Sequence, residues 1–409
     1  ADAGQEAAEM KRALCILLVL AMLPSLCACG SIYSNYREME QLLVLQTMGL
    51  DTADGGVRLS LASAADTEKG SSPIRLEVEG VNISSAFDRT QNYSFEESLF
   101  FSHIGSLLIG EDAARLGIDD AMNYICQAPR LRMDMPVYII RGGTAAESIM
   151  GTGDEGKGIS EILMGVREYL ENRSAGTLFT AADIERSSLR YGSALACALE
   201  LSPSIQDSSS AAGSGEAQGG SGASQKSSGA GSSTVAAAGY AVLKDSRLCA
   251  YLSMEQGLGV CFLLNSVGRN DIVVTDSRGS SVTMEINRGS CGITPVWDSS
   301  GALSRVDVSA SVRASVKEIN GKSDLDDAEY ADYLTGQLES YVSDRISYVL
   351  RISRQLNADF LGLAGTVERS SPSEYAAMDK PFTEIFPTLE LRVTVKGQLS
   401  HSNDTRQTA

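Results

Sequence analysis

The stretch DDAEYADYLTGQLESYVSDRISYVLRISRQLN, residues 326–357, decides the fold of the C-terminal part of this chain. Leu334, Leu338, Tyr341, Val342, Ile346, Val349, Ile352 and Leu356 recur at steps of three and four, so a single long helix carries one apolar stripe. The acidic run Asp324 to Glu329 lacks the alternating oxygen ligands and central glycine of a calcium loop. It reads instead as a first helical turn that the helix dipole favours. Before the helix, Val306 to Val316 alternates through Val306, Val308, Ala310 and Val312; after it, Thr388 to Leu399 alternates through Leu389, Leu391, Val393 and Val395. Period two on both sides predicts two half-buried strands. The C-terminal part is therefore expected to be a sheet covered by one long helix.

Working toward the N-terminus, short apolar runs predict strands at Tyr240–Leu243, Leu248–Leu252, Val260–Leu264, Ile272–Val274 and Val282–Ile286, broken by turn residues. Residues 204–233 are almost wholly Ser, Gly, Ala and Gln. Such a composition has too little apolar surface to offset ordering entropy, so disorder is expected there. Strand-like flanks at Ala194–Leu201 and Val235–Leu243 make it an expanded hairpin loop within a domain. In the first half, Val57–Ala62, Ile74–Val81, Gly105–Gly110 and Val137–Ile140 read as strands. Glu111–Leu116, Ile118–Cys126 and Ile159–Asn172 read as helices, and Glu38–Leu50 as a helix start passing into a strand. The fold class is α+β: three mixed α/β domains with mainly antiparallel sheets. Their boundaries are placed at 29–190, 191–300 and 301–409, after a leader over 1–28.

That leader has its own logic. Lys11 and Arg12 precede an apolar run from Ala13 to Leu23, and Leu26-Cys27-Ala28-Cys29 follows. Pro24 interrupts the run, which is short for a membrane span. The order resembles a bacterial lipoprotein signal, in which cleavage precedes a cysteine that carries fatty acyl chains such as palmitate. Cys29 is the lipidation site this implies. Met10 is read as the initiator, and the residues before it as a start-site artefact.

The net charge of −18 argues against nucleic acid and against electrostatic docking on anionic lipid. With only two histidines, His103 and His401, histidine triads and histidine metal sites have few routes. Beyond the leader, Cys126, Cys197, Cys249, Cys261 and Cys291 form no Cys-x-x-Cys pair, which disfavours zinc. A disulfide between two of Cys197, Cys249, Cys261 and Cys291 stays open. Gly151 to Gly158 has Gly158 where a phosphate loop needs Ser or Thr after Lys157. Glu96, Glu97, Asp119 and Asp120 read as solvated faces. No nucleophile with a base is evident, so no enzyme and no cofactor is expected.

Several runs, in order, resemble the Ger(x)C (GerAC-type) spore germination lipoproteins. Tyr36-Arg-Glu38 with Leu43 to Asp51 is similar to the family's opening. Leu99-Phe-Phe-Ser-His-Ile-Gly-Ser-Leu-Leu-Ile-Gly-Glu-Asp-Ala-Ala-Arg-Leu-Gly117 is similar to its Ser-His and Gly-Glu pattern, and Gln127 to Asp134 followed by Val137 to Ile140 to its next segment. Gly239 to Ser253, Asn357 to Ala364 and Val393 to Gly397 complete the series. Gly30-Ser31 replaces the usual aromatic and acid after the cysteine. Tyr375 and Phe382 or Phe386 stand where C-terminal tryptophans are usual. The resemblance implies the C subunit of a nutrient germinant receptor, lipid-anchored to the outer face of the spore inner membrane. Integral-membrane A and B subunits are the implied partners. The alternative from a different class is an extracytoplasmic solute-binding lipoprotein, whose lobes would carry parallel sheets.

Overall fold

The computed structural model describes residues 42–64, 73–90, 92, 98–151, 158–173, 176–203, 233–320 and 327–400. The leader with Cys29, the bulk of the Ser/Gly-rich segment, Glu96, Glu97, Lys157, Asp324 and His401 lie outside the described residues. Two sheets organise what is described. The first contains β1 (Leu42–Ala53), β2 (Gly56–Ser63), β3 (Arg75–Gly80), β4 (Ser98–Phe100), β5 (Ser106–Gly110), β6 (Val137–Arg141), β7 (Ser193–Pro203), β8 (Ser233–Lys244) and β9 (Arg247–Leu252). Its order is β3-β2-β1-β5-β6-β7-β8-β9, with β4 off this path. The second contains β10 (Asn270–Thr275), β11 (Ser281–Trp297), β12 (Leu303–Ile319) and β13 (Glu390–Ser400), in that order.

Both flanks of the first sheet are antiparallel, β3-β2-β1 on one side and β7-β8-β9 on the other. Its centre, β1-β5-β6-β7, is parallel. The cause is visible in the runs at Leu107–Ile109 and Val137–Ile140, where every side chain is inaccessible on both faces of the sheet. Strands covered on both faces by helices read as continuous apolar runs, and these are the strands that pair in parallel. Antiparallel pairings still outnumber parallel ones in the two sheets, as the alternation elsewhere implied.

The β7–β8 pairing runs from Ser193↔Lys244 to Pro203↔Ser233. The Ser/Gly-rich segment thus connects two hydrogen-bonded neighbours and interrupts a hairpin, as expected from its flanks. Removing Ser208 to Ser232 leaves four loop residues, a common hairpin length. Because long loops add closure entropy only slowly, the melting temperature of that deletion should be unchanged or slightly raised. A collapse of the melting transition would mean that the segment carries structure. β7 pairs with β6, so the first sheet continues through residue 191, where the sequence placed a domain boundary. The turn from β8 to β9 uses Asp245 and Ser246 at positive φ, the type I′ geometry of a tight hairpin.

Two local expectations need correction. Val260–Leu264 is not a strand; it lies mostly within the helix Met254–Leu263, whose Ser253 and Gln256 form a reciprocal capping box. A short helix buried all round has no polar face, so its apolar run looks like a buried strand. The Ser253-x-x-Gln256 spacing was the legible signal. The helical start expected within Glu38–Leu50 is strand from Leu42 onward.

In the second sheet, β12 and β13 run parallel, joined across the helix Ala328–Gln355. Asp327 caps that helix by accepting from the Glu329 N–H at 3.0 Å. Leu334, Leu338, Val342, Ile346 and Val349 are fully buried, while Tyr341, Ile352 and Leu356 line the edge of the same stripe. They meet Val306, Val308, Ala310, Val312 and Ala314 of β12 and the half-buried Leu391, Val393 and Val395 of β13 within one core. Each fully buried aliphatic side chain contributes about 1.5–3 kcal/mol by leaving water. Among the described residues no helix is long and apolar enough to cross a membrane.

Candidate functional site

Parallel strands gather their carboxyl ends into a crevice, the usual ligand position in an α/β sheet. Here the parallel stretch of β1 runs out just before Asp51, β5 ends at Gly110 before Glu111, and β6 ends at Arg141 before Gly142-Gly143, beside the helix Ala145–Gly151. The Asp51 carboxylate accepts the Ala145 and Ala146 N–H groups, both at 2.8 Å. A helix N-terminus is a ready anion position, and the chain's own carboxylate fills this one. A Cβ on Gly110 would lie 2.0 Å from Asp51 Oδ1, so glycine is required there by space. Burial raises the Asp51 pKa, and the two backbone donors pull it back only part of the way.

Glu111 is a second brace. It accepts the Gly142 N–H, an Arg115 guanidinium N–H and, at 3.1 Å, the Tyr251 hydroxyl of β9. Partial burial acts to raise its pKa, but these donors outweigh it and hold the carboxyl below the ordinary value. Asp51 and Glu111 therefore clamp helix to strand ends, and both carboxylates are taken up by these donors.

The Asn357 to Ala364 run makes a third brace. Asp359 is buried and accepts the Leu363 and Ala364 N–H groups at 2.8 Å, capping the helix Leu363–Ser370. Gly362 takes a left-handed φ of 70° and, with Gly365, leaves room for the Tyr191 ring; a Cβ on Gly365 would stand 2.2 Å from the Tyr191 hydroxyl. Arg190 pairs with Glu368 at 2.6 Å, and Lys244 Nζ donates to the Leu356 carbonyl at 2.8 Å. This motif fastens the C-terminal helices to the end of the helix Ala181–Tyr191 that feeds β7.

A groove of about 530 Å³ lies between the helices Ile83–Thr90 and Asp119–Gln127. Phe87 forms its floor, edge-to-face with Phe101 and stacked on Tyr124, each with ring centroids 5.1 Å apart. Asp88 and Arg130 flank the Tyr124 phenol, whose pKa is raised by burial and by Asp88, with Arg130 opposing. The loop that closes the groove, Gln127 to Leu131, is the start of the Gln127–Asp134 motif. Aromatic walls with two opposite charges at the rim suit a small zwitterion or a partner side chain.

The other residues singled out in the sequence do not converge on these places. His103 is exposed, its ring 5.4 Å from that of Phe100. Asp119 and Asp120 are exposed in the first turn of their helix. All five described cysteines are free thiols; burial pushes Cys197 up to about 12, so it stays protonated. Among the described residues, no group of three His, Cys, Asp or Glu side chains is placed to hold a metal ion.

Comparison with known proteins now gives the class. Residues 35–190 match the family described as "Spore germination protein N-terminal domain", and residues 238–403 match "Spore germination B3/ GerAC like, C-terminal". The two matches cover most of the sequence in order, and the chain belongs to the Ger(x)C, GerAC-type family of spore germination proteins. A solved structure described as "Crystal Structure of the GerBC protein" has a similar fold, with a TM-score of 0.50 and 16% identity over 86% of this chain and 96% of that one. No curated protein sequence matches the chain.

Proposed function

We propose that this chain is the lipid-anchored C subunit of a spore nutrient germinant receptor. Acyl chains on Cys29 hold it at the outer face of the spore inner membrane, and it acts without catalysis, by contact with integral-membrane A and B subunits. The observation that carries this reading is that both halves of the chain match spore germination domains. Two further features support it. The motif carboxylates Asp51, Glu111 and Asp359 are committed to backbone donors and have no free role in proton transfer. A body with a net charge of −18 gains little from anionic lipid by charge alone, so tethering suits an acyl anchor.

Cys29→Ala tests the anchor. The variant should move from the membrane to the soluble fraction, because two or more acyl chains at about 0.8 kcal/mol per buried CH₂ supply the attachment. A variant that stays membrane-bound with its leader uncleaved would mean that the leader spans the bilayer as a helix. The groove over Phe87 and Tyr124 favours a second reading, a solute-binding lipoprotein. That reading requires a small amphiphilic zwitterion to raise the melting temperature of the protein, and loses its basis if Tyr124→Ala leaves such a shift unchanged.

A further inference from the structure

The second sheet is covered by the long helix on one face only. On its other face three cations come together from strands far apart in sequence. A bulge between Ile286 and Arg288 reverses the alternation of β11: Val282, Met284 and Ile286 point into the core, whereas Arg288, Ser290 and Gly292 point outward. Arg288 thereby stands directly opposite Arg313 of β12, which neighbours Gln398 of β13; Ser290 stands opposite Ser311, which neighbours Lys396. These six residues line a groove of about 560 Å³, and all six are exposed.

We propose that this groove receives an acidic polypeptide segment of a partner protein, with Arg288, Arg313 and Lys396 pairing its carboxylates. Among the described residues no carboxylate lines the groove. Elsewhere on the same sheet cations are matched: Arg305 with Asp307 at 2.9 Å, Lys317 with Asp271 at 2.9 Å, and Arg392 with Glu390 at 3.1 Å. The chain has 52 acidic and 34 basic residues, so a place where three cations gather without a carboxylate runs against its composition; Arg313 Nε donates there to the neutral Gln398 Oε1 at 3.2 Å. Like charges directly opposite on neighbouring strands oppose folding, and an incoming carboxylate removes that cost. The hydroxyls between them are short and already share a hydrogen bond, Ser290 to Ser311 at 2.8 Å, which keeps the floor low and the cations at the rim.

The shape and exposure select the occupant. Single exposed ion pairs are weak and screened by salt, so one small anion is held poorly, while several carboxylates on one chain act together. A recessed groove admits an extended segment but not a flat bilayer. The inference goes beyond the receptor-subunit reading and does not depend on which protein supplies the segment.

The test titrates a fluorescein-labelled deca-glutamate peptide with the full chain and follows anisotropy at low salt. Saturable binding is expected, weakened about tenfold or more by combining Arg288→Gln, Arg313→Gln and Lys396→Gln. The triple variant should melt no lower than the wild type, since it loses repulsion and, among the described residues, gives up only one exposed hydrogen bond, from Arg313 Nε to Gln398 Oε1 at 3.2 Å. Absence of saturable binding, or equal binding by the triple variant, overturns the proposal. So does a lower melting temperature with binding retained, which would make the cations structural. Inorganic phosphate competing as well as the peptide would reassign the groove to a small oxyanion. Cation-dependent sedimentation with phosphatidylglycerol vesicles but not with peptide would reassign it to the membrane surface.

Discussion

Gly259→Ala should destabilise the protein by about 2–3 kcal/mol, the reverse of the gain of about 1 kcal/mol that alanine brings to an exposed helix interior. Gly259 lies in the helix Met254–Leu263, where that helix crosses the long helix Ala328–Gln355. A Cβ there would stand 2.4 Å from the Arg345 carbonyl oxygen, 2.7 Å from its carbon and 3.0 Å from Val349 Cγ2. The first two are backbone atoms of a helix fixed by its own hydrogen bonds, so no side chain can swing aside. The two helices must part, and the Arg345–Glu255 ion pair and the burial of Phe262 part with them. Gly336 supplies the control. It sits in the same long helix, and a Cβ there would meet nothing within 4 Å, so Gly336→Ala should stabilise by about 1 kcal/mol. Urea unfolding of both variants reads the opposite signs directly. Stabilisation by Gly259→Ala would mean that the two helices do not meet at this point.

The second large effect belongs to Asp359, 6% exposed and raised by burial to about 6, with the Ala364, Leu363 and Gly362 N–H groups opposing. In the unfolded chain the group titrates near 3.8. Between these values the folded protein holds a proton that the unfolded chain has released, so stability falls as pH rises from about 4 to about 6 and is level above. The difference of about two pH units corresponds to about 3 kcal/mol. Asp359→Asn keeps an acceptor for one backbone N–H and does not titrate. Its stability relative to the wild type should therefore improve by up to about 3 kcal/mol between pH 4 and pH 7, measured by urea unfolding at both. Parallel pH profiles for the two proteins would contradict a buried, titrating Asp359.

What could be read from the sequence was whatever one buried face imposes. The stripe from Leu334 to Leu356, the alternation through Val306–Val312 and Leu391–Val395, and the strands flanking the Ser/Gly-rich segment all follow from a single core-facing side. Val260–Leu264 was misread because a helix buried all round has no polar face to set its period. The parallel centre of the first sheet was missed although Leu107–Ile109 and Val137–Ile140 are continuous apolar runs covered on both faces, because each is too short to be told from a buried helix segment by its period alone. The braces were legible as motifs but not as contacts. Asp51 meets Ala145 and Ala146 across more than ninety residues, and local spacing cannot report that. The basic groove was invisible for a subtler reason. A one-residue bulge turns Arg288 to the outer face, and strict alternation from Val282 would have placed it in the core.

The central proposal is that this acidic body works through membrane partners, without catalysis of its own. It is tested most directly by solubilising spore inner membranes in mild detergent, recovering the tagged full-length chain and identifying by mass spectrometry what remains bound at stoichiometric amounts. The account predicts an acylated Cys29 and two multi-pass proteins of the germinant receptor A and B type. Recovery of a single unmodified chain, stabilised by a small solute and free of membrane partners, would contradict it.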